Sequence, residues 1–289
     1  MHTRLPAMLI IALMLLLPSA AAAQSLTSRT ESAWSYIKRA NDSYTQGEFE
    51  RAISDYTLAI SFDPHLAWAY LNRAIVRSAK GDRELALADC NRALELDPRL
   101  SAGWSLRSQL RRSQGDLAGA LADGTRAVTL DPRDACAWSN RGNAKHDLGD
   151  FAGAISDYNQ SLKLDPHLAS TWTNRGFARQ EQGDLRGALS DYDRALKLDP
   201  RLAEAWNNRG SARLRTGDLA GALADCNQAI ALNPQMAAAW INRGLARWRL
   251  GQPAEADQDF ARGLALNPDL KPRIESDLKQ WPSPLAAQR

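Results

Sequence analysis

Cysteine and histidine are scarce in this chain, three and four residues among 289, and their placement removes several kinds of chemistry at once. Cys90 and Cys226 occupy the same place in units four apart, so no structural disulfide is expected, and both read as small buried apolar residues. His2, His65, His146 and His167 keep no ligand spacing. Two of them, His65 and His167, follow an Asp-Pro pair in a loop. No HExxH, paired-cysteine, nucleophile-elbow or phosphate-loop motif occurs, so neither catalysis nor a metal or other cofactor is expected. The charge is nearly balanced, 36 bases against 33 acids, without the basic excess of a nucleic-acid binder. Long apolar runs are missing beyond Leu5–Leu17, which is too short for a comfortable membrane span.

That one run lies in a distinct N-terminal text. Arg4 is its only base, Pro18 ends the apolar stretch, and Ala21-Ala22-Ala23 precedes Gln24. A positive start, a short apolar core and an Ala-x-Ala site read as a secretory signal over residues 1–23. The expected mature chain begins near Gln24 and is exported, to a periplasm or the exterior, with no membrane span of its own. An uncleaved anchor is the alternative. Residues 24–32 are polar and read as a frayed tail.

What is present in quantity is periodicity. Aromatics fall at Tyr36, Tyr70, Trp104, Trp138, Trp172, Trp206 and Trp240, each 34 residues after the last. Prolines 64 to 268, glycines 47 to 251 and aspartates 55 to 259 keep the same step. Seven units therefore fill 33–66, 67–100, 101–134, 135–168, 169–202, 203–236 and 237–270 without insertion. In the fourth unit, Trp138, Gly142 and Lys145 lie about one helical turn apart, defining a helix A. Gly149 suits the left-handed residue after a helix, and Asp150 can cap the next one. Ala154, Tyr158 and Ser161 share a face of helix B, which Pro166 stops near Asp165. Such a hairpin cannot bury its apolar face alone, but stacked neighbours can. Mid-helix glycines such as Gly142 and the alanines at Ala154 and its equivalents let the two helices approach closely. Gly124, where four other units place an aromatic (Tyr56, Tyr158, Tyr192 and Phe260), predicts a soft spot. Pro272 opens a last helix, 272–281, with Ile274, Leu278 and Trp281 on one face to cap the array; a tail completes 271–289.

These residues resemble the tetratricopeptide repeat. That family's aromatic, small residue, alanine, second aromatic, alanine and proline correspond here to Trp138, Gly142, Ala154, Tyr158, Ser161 and Pro166. The resemblance covers all seven units. It implies an all-α fold, a right-handed superhelical α-solenoid of helix-turn-helix hairpins with a concave groove, and a role in binding proteins or peptides.

Two polar rows depart from packing needs. Arg73, Arg141, Arg175 and Arg209, with equivalents in every unit, share the aromatic's side of helix A and face helix B. A half-buried Arg needs a partner, and Asp89, Asp157, Asp191 and Asp225 supply one per unit, so structural Arg–Asp pairs are expected. The bases one turn on, Arg77, Arg111, Lys145, Arg179, Arg213 and Arg247, have no such match and read as a solvated edge. Asn72, Asn140, Asn174, Asn208 and Asn242 sit one residue before the arginines, about a hundred degrees around the helix, on the face that lines the groove in this family. An amide there can hold a peptide bond, a use similar to the Asn ladder of the O-GlcNAc transferases; equally, it can bond the neighbouring helix A. Trp34 and Trp68 at one end, Asn143 in the middle, and Leu245 and Trp248 at the other complete the predicted groove. The expected function is a non-catalytic scaffold binding an extended peptide or partner protein in the cell envelope. The alternative is a self-associating structural subunit of an envelope or secretion complex.

Overall fold

A computed structural model describes residues 20–281, with side chains from 32 onward. Most of the segment read as a signal, 1–19, lies outside them. The chain forms two compact units, divided between Pro98 and Arg99.

The first unit holds α1 (Ala20–Thr45), α2 (Phe49–Phe62), α3 (Ala67–Lys80) and α4 (Arg83–Leu96). Helix α1 corrects one expectation: residues 24–32, read as a frayed tail, are helical and continue α1 upstream. Within this unit Ile37, Ala40, Ala52, Tyr56, Ala59, Ala69 and Val76 form one buried cluster.

The second unit stacks five hairpins and a cap. Its helices are α5 (Ser101–Ser113), α6 (Leu117–Leu130), α7 (Ala135–Asp147), α8 (Phe151–Leu164), α9 (Ala169–Glu181) and α10 (Leu185–Leu198). There follow α11 (Ala203–Thr216), α12 (Leu219–Leu232), α13 (Ala237–Arg249), α14 (Pro253–Leu266) and α15 (Lys271–Gln280). No strand occurs among the described residues. Each odd helix packs on the even one after it, and α5, α7, α9, α11 and α13 also touch in succession. The A helices thus form one continuous face of this unit.

The hairpin turns follow from local chemistry. Gly149 sits at φ 83°, a left-handed conformation that an L side chain adopts only under strain. Asp150 then accepts a hydrogen bond from Gly153 N at 2.9 Å, capping α8; Asp116, Asp184 and Asp218 do the same to Gly119, Gly187 and Gly221. The cap depends on the glycine: a Cβ on Gly153 would lie 2.0 Å from the Asp150 carboxylate and turn it away. Asp82, followed by Leu85 in the glycine's place, makes no such cap. Between repeats, Asp165 Oδ1 accepts from His167 N across Pro166, and Asp63, Asp131 and Asp199 repeat the turn.

Close helix approach explains the small residues. A Cβ on Gly142 would stand 2.7 Å from the Tyr158 ring, and one on Gly176 equally near Tyr192. Gly124 corrects another expectation. It marks no soft spot, because the Arg141 backbone fills the space to within 3.1 Å of where its Cβ would be, and Ser108 Oγ bonds Ala120 O nearby.

The last helix completes the core. Ile274 is buried on α15 beside Leu214, Ile241, Leu245 and Phe260, with Trp248, Leu278 and Trp281 against them. No helix among the described residues is long and apolar enough to cross a membrane.

Candidate functional site

The aromatic–x–Asn–Arg–Gly segment builds both sides of helix A. Trp172 Nε1 donates to Pro166 O at 2.9 Å, fastening α9 to the turn before it; Trp138, Trp206 and Trp240 do likewise to Pro132, Pro200 and Pro234. Three residues on, Arg175 lays its guanidinium 4.6 Å from the Trp172 ring centre. It then donates from Nε and Nη2 to the two oxygens of Asp191, at 2.9 and 2.7 Å. Its remaining Nη1 reaches Asn159 on the preceding hairpin at 2.7 Å. Arg209 and Arg243 repeat this with Asp193 and Asn227, and Arg73 with Thr57 in the first unit.

The two-pronged bridge recurs in every repeat. From the second repeat to the seventh the distances run from 2.6 to 2.9 Å, in Arg73–Asp89, Arg107–Asp123, Arg141–Asp157, Arg175–Asp191, Arg209–Asp225 and Arg243–Asp259. Arg39 and Asp55 form the same pair in the first repeat, but the Arg39 side chain is 50% exposed there. Burial pulls the Arg209 guanidinium down, yet Asp225 and Asp193 outweigh it and hold it above the usual arginine value.

The second basic row is not a solvated edge. Arg77, Arg111, Lys145, Arg179, Arg213 and Arg247 bind the same buried carboxylates at 2.7–3.0 Å. Asp191 thus serves Arg175 and Arg179 together, while Arg179 also approaches the capping Asp184 at 3.8 Å. One carboxylate has enough lone pairs for three donors. These charges are consumed in closing the hairpin.

The asparagines lie on the A-helix face, and most of their donors are used within it. Asn140 Nδ2 donates to Ser105 O and Oγ on the previous helix A, at 3.3 and 3.0 Å. Asn174 Nδ2 donates to Asn143 Oδ1 at 2.9 Å, and the Tyr158 hydroxyl donates to the same oxygen at 2.8 Å. Burial raises Tyr158, whose hydroxyl stays protonated as the donor. In the first unit the Tyr56 hydroxyl donates to Asn41 Oδ1, and Asn72 bonds the hydroxyl itself rather than the other amide. Asn242, 1% exposed, stands in the wall of a hollow on this face, but its Nδ2 is spent on Asn207 Oδ1 at 2.8 Å. The helix-to-helix use of the amide is therefore realised at Asn140, Asn174 and Asn242. Among the described residues, what stays open is one half of certain amides: Oδ1 of Asn140 and Asn174, and Nδ2 of Asn143 and Asn208.

Leu245 and Trp248 are not open anchors either. Leu245 is buried, and Trp248 Nε1 donates to Trp281 O at 3.1 Å beneath α15. Trp34 and Trp68 remain about half exposed on the first unit. Phe177, absent from the predicted site, is the exposed aromatic on the A-helix face of the second unit, lining hollows on both sides. Its only sequence signal was an aromatic one residue after the Gly of the repeat motif.

Three hollows occupy that face. One of about 290 Å³ lies among Gln109, Asn140, Asn143 and Asn174; another of about 280 Å³ among Arg112, His146, Phe177 and Glu204. The third, about 540 Å³, is walled by α9, α11, α13 and α15 and lined by Phe177, Asn208, Ser211, Arg215, Arg273 and Trp281. Polar amides with isolated aromatics suit a chain laid along the face. Among the described residues no group of His, Cys, Asp and Glu is arranged to hold a metal ion.

Comparison with known proteins gives one consistent answer. Family models described as tetratricopeptide repeat match residues 69–100, 174–237 and 237–270, and one described as TPR repeat matches 142–183. No curated protein matches. Among solved structures, the chain is similar to a tetratricopeptide repeat protein from Parabacteroides merdae, 18% identical, covering 86% of this chain and 98% of that one, TM-score 0.63. It is also similar to the APC/C hetero-tetramer Cut9–Hcn1, 19% identical, covering 80% and 46%, TM-score 0.65. Pseudomonas aeruginosa pilF is 20% identical, covering 72% and 94%, TM-score 0.62. At these identities the likeness is one of fold.

Proposed function

Because this chain belongs to the tetratricopeptide repeat family, whose members bind protein or peptide partners, we propose that it is a non-catalytic scaffold taking an extended segment of a partner along the A-helix face of residues 99–281. The observation that carries this reading is the row of three polar hollows on that face, with Phe177 standing between two of them. Asn143 Nδ2 and Asn208 Nδ2 supply donors there, and Asn140 Oδ1 and Asn174 Oδ1 supply acceptors. A peptide backbone carries one of each per residue. The charged groups are largely engaged in ion pairs, which favours recognition by shape and amide hydrogen bonds over electrostatics.

The signal-like residues 1–23 support export and a place in the cell envelope. Nearly balanced charge argues against nucleic acid. The half-exposed Trp34 and Trp68 favour a second reading, self-association, which light scattering of residues 24–289 would test by giving twice the monomer mass. The scaffold reading is tested on a peptide array drawn from envelope proteins. Phe177→Ala should weaken retention of the same peptides with little change in melting temperature, and Asn143→Ala should weaken it as well but lower the melting temperature, because Tyr158 and Asn174 lose their acceptor. Undiminished retention by both variants would move the interface elsewhere.

A further inference from the structure

The largest hollow holds a hydrogen-bond relay whose direction is set from the capping helix. Arg273 on α15 donates from Nη2 to Asn242 Oδ1 at 2.8 Å. Asn242 Nδ2 donates to Asn207 Oδ1 at 2.8 Å, and Asn207 Nδ2 donates to Asn208 Oδ1 at 3.1 Å. A guanidinium has no acceptor, so Asn242 must present its oxygen to Arg273 and its amide nitrogen to Asn207. The same constraint passes to Asn207 and then to Asn208. Two of the three amides are sealed in the fold, Asn242 at 1% and Asn207 at 9% exposure. The relay ends at Asn208 Nδ2, which lines the cavity and has no protein acceptor among the described residues.

We propose that Arg273 is a positioning residue which, through Asn242 and Asn207, makes Asn208 a one-way donor, and that this end of the site takes a carbonyl oxygen of the partner's backbone. This rests on the scaffold reading above. A charged group is not favoured: Arg215 and Arg273 are offset in the same cavity by Glu181 and Asp277, the last 3.5 Å from Arg273 Nε. A neutral acceptor fits a cavity of zero formal charge, and bonds in series strengthen the terminal donor. Ser211, one turn along α11, adds a hydroxyl on the same wall. The capping helix therefore sets the hydrogen-bond polarity of the site as well as covering the last repeat.

The test is nitrogen-15 NMR of the side-chain amides of residues 24–289, needing no partner. In the wild type Asn208 NH₂ should exchange with water about tenfold faster than those of Asn207 and Asn242, the factor equivalent to one net hydrogen bond. Arg273→Lys, which keeps a donor, should preserve this order. Arg273→Glu supplies only acceptors, so all three amides should turn over, each Nδ2 then donating within the relay, and Asn208 NH₂ should lose its faster exchange. N,N-dimethylacetamide, which has a carbonyl and no N–H, should shift Asn208 in the wild type and not in Arg273→Glu. The same exchange order in Arg273→Lys and Arg273→Glu, or an Asn208 amide as protected as the other two in the wild type, would overturn the proposal. A correct exchange pattern with no peptide retained on the array would instead remove the scaffold reading and leave the relay standing.

Discussion

Asp225→Ala tests whether the repeated carboxylate holds its hairpin or merely accompanies it. Asp225 is 1% exposed and accepts from Arg209 at 2.9 and 2.7 Å and from Arg213 at 2.8 Å. Removing one partner of a buried ion pair costs about 3–5 kcal/mol, chiefly because the surviving charge is stranded. Here the stranded charges have partial refuges. Arg213 lies 3.5 Å from Asp218, and Arg209 keeps Asp193 at 2.6 Å, although Asp193 itself is 61% exposed. The expected loss is therefore at the low end, about 3 kcal/mol, read from urea denaturation followed by circular dichroism at 222 nm. Asp55→Ala provides the internal comparison, because Arg39 is half exposed and can turn into water; its loss should be distinctly smaller. A cost for Asp225→Ala below about 1 kcal/mol, the range of exposed pairs, would refute the reasoning and make the cluster a solvated ornament. Arg209→Met combined with Asp225→Leu should recover part of the loss, since Arg209 is then removed with its partner and only Arg213, which keeps Asp218 at 3.5 Å, loses the carboxylate.

Gly153→Ala should destabilise by about 1 kcal/mol despite the better helix propensity of Ala, because its Cβ displaces the capping carboxylate of Asp150; an unchanged or raised melting temperature would contradict this. Trp172→Phe keeps a ring under Arg175 but loses the bond to Pro166 O, for about 1 kcal/mol, and retention of full stability would show the turn is held otherwise. Alkaline conditions should weaken the fold. Burial raises Tyr56 and Cys226 to about 12, and also raises Tyr158 and Tyr192. The folded state keeps protons that the unfolded chain releases, so each group's contribution is complete below its unfolded value, near 9 for Cys226 and 10 for the tyrosines, and is lost as pH rises toward 12. Thermal melts from pH 8 upward should show midpoints falling from about pH 9–10; a flat profile to pH 11 would rule out buried titration.

Much of this architecture is legible in sequence because one period governs it. A step of 34 residues repeated seven times places every turn, cap and helix crossing without reference to anything distant. The failures occur where one residue serves several partners. Matching one Arg to one Asp by count left the bases at 77 and 179 without a role, yet a carboxylate has two oxygens and bonds both arginines of its hairpin. The helical wheel showed that Asn140, Asn174 and Asn242 leave the A–B interface, but not that the preceding helix A stands close enough to use their amides. Leu245 and Trp248 occupy groove positions by register, and only the packing of α15 covers them. Gly124 read as a defect because the backbone that fills its space belongs to the following repeat.

The third hand of each arginine has a genetic consequence. Arg73, Arg175, Arg209 and Arg243 each grasp a side chain sixteen residues upstream, in the repeat before their own. Among the described residues the side-chain bonds that span farthest, such as Asn140–Ser105 and Arg249–Leu214, reach across 35 positions, one step of the array and no more. A duplication or loss of 34 codons would leave each arginine facing a polar side chain, since Thr57, Asn91, Thr125, Asn159, Asp193 and Asn227 share that position, whereas inserting a single codon would break the register. A gene of this kind can grow or shrink by unequal recombination between its own copies, and the protein it encodes would meet each new length already folded at the seams.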